Sequence, residues 1–287
     1  MHRVSAAASA PVLDVLDADG RRVPSCRVRA WRPDVVGVSE VFHARIADYS
    51  YPAHAHDTWT VLIIDAGAIR YDLDTRKCGV SGDDHVAVLP PGVVHDGRPA
   101  AGTVGFRKRN LYLDPSFLPT DLVGAAVDRT ALRDGDLRTA LSLLHDSLAV
   151  GEEALDGEAR LALIADRLAR HLVPARHRTR RPEPAAARRL RDLLDEHPTR
   201  PVTLAEAARL VDRSVPHLVR SFARTYGVSP HAYLVGRRIE LARKLLLVGT
   251  SPADTAVRAG FYDQAHLTRH FRRHTSVTPA AYARSGR

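Results

Sequence analysis

From about Val23 to Leu113 the apolar residues fall in short runs: Val35 to Ile46, Trp59 to Ile64, Ala68 to Leu73, His85 to Leu89 and Val104 to Leu113. Turn-forming residues separate them at Asp65-Ala66-Gly67, Gly79 to Asp84 and Pro90-Pro91-Gly92. Many short strands with close turns predict a sandwich or small barrel. From Leu137 the period changes. Leu137, Leu141, Leu144 and Leu148, then Leu161, Ile164, Leu168 and Leu172, recur at helical spacing and predict two amphipathic helices. The stretch from Pro174 to Pro184 joins prolines to a run of arginines and has almost no apolar content, so it reads as a linker.

Beyond it the start signals of helices dominate. Thr203 is placed to cap a helix from Leu204 to Val211, Ser214 one through Phe222 and beyond, and Ser229-Pro230 a longer one toward Val248. Ser251-Pro252, Asp263 and Thr278-Pro279 mark three more. In each Ser/Thr-Pro pair the hydroxyl accepts from an orphan amide, while proline occupies a first-turn site that needs no donor.

This segment also repeats itself. His217-Leu218-Val219-Arg220-Ser221-Phe222 recurs 49 residues later as His266-Leu267-Thr268-Arg269-His270-Phe271. Val228-Ser229-Pro230-His231-Ala232-Tyr233 recurs as Val277-Thr278-Pro279-Ala280-Ala281-Tyr282, and Ala207 matches Ala256. In each copy a short helix with a small residue precedes a turn and a second helix, whose Leu and Phe share the buried face and whose Arg points elsewhere. That is the logic of a helix-turn-helix, in which the second helix protrudes into a major groove. The helix between the copies would be roughly 28 Å long at ~1.5 Å per residue, comparable with one turn of DNA at about 34 Å. Leu218, Phe222, Tyr233, Leu267, Phe271 and Tyr282 are expected core residues.

Charge adds direction. The chain of 287 residues has a formal net charge of +9, but residues 176–287 alone hold 22 Lys and Arg against 9 Asp and Glu, while residues 1–175 are mildly acidic. A basic domain tethered to an acidic one points to a polyanionic partner for the basic part. Cys26 and Cys78 stand outside any metal-ligand spacing, which argues against a disulfide framework or a zinc finger and suggests a reducing, cytoplasmic home. No signal peptide or run of about 20 apolar residues is seen, so no membrane partner is expected.

From about Ala185 to Arg287 the chain resembles the DNA-binding domain of the AraC/XylS family. The resemblance is carried by Ala259-Gly260-Phe261-Tyr262-Asp263-Gln264, Leu267-Thr268-Arg269-His270-Phe271 and Thr278-Pro279-Ala280-Ala281-Tyr282. It implies that Pro216, Val219 and Arg220 in the first unit, and Gln264, Ala265, His266 and Arg269 in the second, face bases. His217 and Thr268 lie on the same two helices, and Arg224 and Arg273 read as phosphate contacts. Pro216 and Val219 depart from the polar or aromatic residues often found at such positions, which leaves hydrogen-bonded readout by the first unit mainly to Arg220.

In the N-terminal half, His54-Ala55-His56-Asp57 and Pro91-Gly92-Val93-Val94-His95-Asp96-Gly97, together with Gly67 and Gly82, resemble a cupin barrel and the AraC-type ligand-binding domain. On a strand, His54 and His56 share a face. Metal-dependent cupins add a glutamate soon after the paired histidines; here Thr58-Trp59-Thr60-Val61 follows, and no glutamate occurs until Glu152. Three arrangements remain open. The resemblance favours a polar pocket in which His54, His56, Trp59 and His95 hold a small organic effector, and no cofactor is expected. The three histidines are also a set that binds a divalent ion, or they are strand-end residues that bond nearby loops. Asp57 and Asp96 are expected to be turn or surface residues.

The expected fold is thus two-domain α+β: residues 1–173 form a cupin-like barrel with two following helices, 174–184 the linker, and 185–287 an all-α domain of two helix-turn-helix units. The expected function is a sequence-specific transcriptional regulator controlled by a small molecule, and not an enzyme; the alternative is a metal-dependent cupin enzyme with a nucleic-acid-binding appendage. The expected partners are double-stranded DNA, an effector, RNA polymerase and a second copy of the chain. Dimerisation, which the resemblance places in the helices of about residues 121–173, would use their leucine stripes, unless these only cover the barrel.

Overall fold

The computed structural model describes residues 26–286 except 48, 75, 82–84, 104, 151–153, 174–183 and 201–203. The expected linker (except Pro184), Gly82, Val104 and the capping Thr203 lie outside the described residues. Among the described residues, nine strands form the N-terminal part: β1 (Cys26–Trp31), β2 (Val38–Ala47), β3 (Tyr51–His54), β4 (Trp59–Leu73), β5 (Arg76–Ser81), β6 (His85–Leu89), β7 (His95–Pro99), β8 (Gly105–Leu113) and β9 (Ala131–Arg133). They pair in the order β1-β2-β8-β4-β6-β9, with β7 and β5 on the second half of β4 and β3 on β7, and each of these pairings is antiparallel.

The sequence divides Trp59–Leu73 at Asp65-Ala66-Gly67, whereas the chain runs through as one 15-residue strand. A bulge between Ile64 and Ala66 replaces the turn. It lets β4 bend from one partner set (β6, β8) to the other (β5, β7). Gly67 makes this possible at φ +73°, where a Cβ would lie 2.1 Å from the Gly105 carbonyl oxygen. The region from Gly79 also departs from expectation: Gly79, Val80 and Ser81 belong to β5.

Strand alternation sorts β4 into two faces. Trp59, Val61 and Ile63 join Val86, Val88, Leu111 and Leu113 in a core beneath α2 (Gly135–Val150) and α3 (Ala154–Leu172), which follow the short α1 (Val123–Asp128). Leu62 and Ile64 face the opposite way, with Phe42, Ala44, Ile46 and Tyr112. The stripes Leu137, Leu141, Leu144 and Leu148, and Leu161, Ile164, Leu168 and Leu172, are all buried in the first of these cores. They cover the chain's own barrel and are therefore not a free dimerisation face.

Among the described residues, seven helices follow: α4 (Ala185–Glu196), α5 (Leu204–Leu210), α6 (Val215–Tyr226), α7 (Pro230–Leu247), α8 (Pro252–Arg258), α9 (Gln264–Thr275) and α10 (Pro279–Ser285). Five N-caps stand where the sequence puts them: Ser214, Ser229, Ser251, Asp263 and Thr278 accept from the amides of His217, Ala232, Asp254, His266 and Ala281. Each such cap stabilises its helix by about 1 kcal/mol. Ala207 and Ala256 are buried where the second helix of each unit crosses the first, and Leu218, Phe222, Leu267 and Phe271 are fully buried.

The two halves share their interior. Val235, Ile239, Ala242, Ala256, Phe271 and Tyr282 belong to one continuous cluster with Phe42, Leu62 and Tyr112 of the sheet. The first helix-turn-helix keeps a separate core of Leu190, Leu194, Leu218, Phe222 and Tyr233, touched by Ala55.

Candidate functional site

Antiparallel pairing of β3 with β7 sets His54 directly opposite His95. His56 lies just past the end of β3, where its carbonyl accepts from Gly92 in the Pro90-Pro91-Gly92 turn at 2.7 Å. The three imidazoles converge: ring centroids are 4.7 Å apart for His54–His56 and His54–His95, and 5.0 Å for His56–His95. Burial holds all three well below the ordinary histidine pKa, His95 at about 4, so the rings are neutral at pH 7. They line a cavity with Thr60, Asn110 and Tyr112.

Trp59, expected in this pocket, is absent from it. Trp59 and Thr60 are consecutive on β4, and alternation turns Trp59 to the helix-covered face, where it is fully buried and its Nε1 donates to the Pro115 carbonyl at 3.3 Å. Thr60 takes the inward position.

Several cavity residues were not found in the sequence. Lys108 is buried in the wall, its Nζ 4.2 Å from the Tyr51 ring centroid, and burial followed by the charge of Arg243 brings its pKa down to about 7. Its signal was available, since Phe106, Lys108, Asn110 and Tyr112 share one strand parity. Among the described residues, the buried Thr60 Oγ1 and Asn110 Oδ1 find no hydrogen-bond partner.

Three lining residues come from the C-terminal half. Arg243 of α7, with His274 and Thr275 of α9, completes the cavity. The Arg243 guanidinium stands 4.2 Å from the Tyr112 ring centroid and donates to Glu40 Oε1 of β2 at 2.6 Å and to the Tyr282 hydroxyl at 3.1 Å. Tyr282 also donates to Glu40. Asp57, expected as a turn or surface residue, belongs to this joint as well. Its amide donates to Glu240 Oε1 at 2.9 Å, and its carboxylate takes Lys244 Nζ at 3.0 Å. Asp96 lines the cavity and pairs with Arg98 at 2.7 Å.

The second surface lies on α6 and α9. Pro216, His217, Arg220 and Arg224 are exposed and Val219 half-buried; Gln264, Ala265, Arg269 and Arg273 are exposed and His266 and Thr268 half-buried. All eleven side chains expected to contact DNA are thus at least partly accessible. Both helices start at a positive dipole end capped by a short polar side chain and carry arginines along their length. The turn before α9 is fixed by Gly260 at φ +78°, where a Cβ would meet Thr199 Cα at 2.8 Å. It leaves Tyr262 91% exposed beside the start of the helix, an aromatic that sequence reasoning had not assigned to this face.

Residues 36–165 match the model described as an AraC-like ligand binding domain, and residues 207–285 match a helix-turn-helix domain. The chain belongs to the AraC family. Among curated members of the family it is 33% identical over 133 residues to the uncharacterised regulator YbfI of Bacillus subtilis, covering 46% of this chain and 48% of that one. It is also 33% identical over 93 residues to the regulator ExsA of Pseudomonas aeruginosa, 32% of this chain and 34% of that one. The chain spans about half or less of the length of these relatives. They are named as transcriptional regulators and not as enzymes. Over 91% of this chain and 98% of the other, the fold resembles that of ToxT from Vibrio cholerae at 13% identity and a TM-score of 0.57. A β-rich part followed by a helical part is the arrangement of both. Among the described residues, no helix is long and apolar enough to cross a membrane.

Proposed function

We propose that this AraC-family chain is a sequence-specific transcriptional regulator whose hold on DNA is set by a small molecule in the barrel cavity. One observation carries the reading: the cavity is lined jointly by barrel histidines and by Arg243 and His274 of the helical half. Whatever fills it touches the element that joins both DNA-reading units. A ligand shifts a regulator only by binding one arrangement better than another, and a cavity shared between halves supplies that difference. One solved ToxT structure holds an unsaturated fatty acid, which makes a small organic effector the natural class to screen.

In this reading residues 1–173 are the sensor, 174–184 the connection and 185–287 the DNA-binding part. His54, His56 and His95 line the effector site together with Thr60, Lys108 and Asn110. Arg220 and Arg269 read bases, and Arg224 and Arg273 hold phosphates. The site of action is the cytoplasm, and activation proceeds through RNA polymerase, in line with relatives named as activators. A homodimer would rest on residues left outside the buried stripes, such as the exposed Leu143 and Leu163. The reading is tested by selecting bound sequences from a random DNA pool with the full chain, with and without candidate metabolites. Enrichment of one motif whose recovery changes with a metabolite supports it; binding to all sequences alike refutes it.

A further inference from the structure

The histidine cluster has a geometry that an organic effector alone does not require. One ligand atom from each of His54, His56 and His95 lies within 4.8 Å of the other two. A tetrahedral ion with metal–nitrogen bonds of ~2.1 Å holds its nitrogens about 3.4 Å apart, so small tilts of the rings close the set around a cation.

The rings are also oriented as ligands are. His54 Nδ1 lies 2.7 Å from the Pro52 carbonyl oxygen, and His95 Nδ1 lies 3.1 Å from that of Val93. Both carbonyls accept, so each Nδ1 carries the proton and Nε2 keeps a free lone pair. A carbonyl behind a histidine, fixing its tautomer and aiming the other nitrogen, is the usual support of a metal-bound imidazole. Two of the donors are opposed across one ladder, which makes the spacing a property of the sheet. The strongest cation nearby, Arg243, is already neutralised by Glu40 at 2.6 Å.

We propose that His54, His56 and His95 bind one divalent transition-metal ion of the zinc class. Imidazole nitrogens suit zinc, cobalt, nickel and copper, and a site without carboxylate or thiolate selects against calcium and magnesium. Three protein ligands leave a fourth position for water or an anionic group. The Lys108 amine, which lines the same cavity, would meet the charge of an anion there. His274 approaches His54 with ring centroids 5.7 Å apart but is not one of the convergent donors. The inference concerns the cavity assigned above to the effector and does not depend on that assignment.

The test uses the full chain, freed of metal with a chelator and titrated with Co²⁺, then with Zn²⁺. Expected is one equivalent of Co²⁺ with the strong visible absorption of a four-coordinate nitrogen site, displaced by one equivalent of Zn²⁺. The His56→Ala and His95→Ala variants should lose that equivalent, while His274→Ala keeps it. Should the alanine variants fail to melt cooperatively, ring-proton NMR of the wild-type chain decides: Zn²⁺ should shift three of its 15 histidines. Absence of a stoichiometric site, wild-type titration by the His56 and His95 variants, or loss in His274→Ala overturns the three-ligand assignment. A metabolite that alters DNA binding in a chain that takes up no metal would leave the effector reading standing and remove this one.

Discussion

Arg243 on α7 and Glu40 on β2, 203 residues apart in the chain, form a buried ion pair at 2.6 Å between the helical half and the sheet. Both are under 8% exposed, and Tyr282 completes the set. Glu40→Gln would leave the guanidinium charged and unpaired in the interior, where breaking such a pair costs about 3–5 kcal/mol. Urea unfolding of the full chain should show a loss of that order, and the double change Glu40→Leu with Arg243→Met should recover most of it. A loss under about 1 kcal/mol for the single variant would mean that water solvates the pair.

Arg220 and Arg269 occupy equivalent positions in the two repeated units, and both are exposed. Replacing either with alanine is expected to weaken specific binding by about 1–3 kcal/mol and to relax preference at one base position, as for an Arg bidentate to guanine. Selection from random DNA checks this. A uniform loss across sequences with a shallower salt dependence would instead make that residue a phosphate contact.

His56 and His95 line a cavity whose lining includes none of the proposed DNA-contacting side chains. The double variant His56→Ala with His95→Ala should abolish the metabolite response in a reporter assay while the full chain still binds its selected sequence. A normal response in the double variant would place the effector elsewhere.

Acid should weaken the fold through the same cluster. His95 titrates at about 4 in the folded chain and near 6.5 once unfolded, so between these values the unfolded chain binds the extra proton. The folded state therefore carries no penalty above pH 6.5 and a growing one below it, reaching about 3 kcal/mol for His95 near pH 4. His274, also at about 4, adds in the same direction. Melting temperatures of the metal-free chain, followed from pH 7 to 5, should fall for the wild type and fall less for a His95→Gln variant that keeps the fold. Parallel curves would assign the acid sensitivity to other groups.

Local chemistry was the legible part of this chain. Capping hydroxyls and the helical stripes each depend on residues within a few turns of one another, the 49-residue repeat states one such local pattern twice, and α6, α9 and their caps lie where these signals place them. The pairing of His54 with His95 was partly legible, because the Pro90-Pro91-Gly92 turn brings the second histidine back to the first. Trp59 was misassigned because its neighbourhood in sequence is polar while its facing is set by strand parity, which a single residue reverses. Arg243 and His274 carried no local signal at all. They reach the cavity through the docking of two halves, and the apolar pattern of α7 records only that it is buried, not against what.

Helix α7 links the two reading units at its ends and supplies Arg243 to the cavity from its C-terminal third. A ligand that pushes on Arg243 therefore acts on the span between the readers and alters the phase in which they meet the duplex, with the half-sites about one turn, 10–10.5 base pairs, apart. Regulation of this kind is tied to one spacing of the half-sites in the operator. Inserting half a helical turn between the half-sites should erase the effector's influence, and inserting a full turn should not restore it, because α7 cannot lengthen to follow.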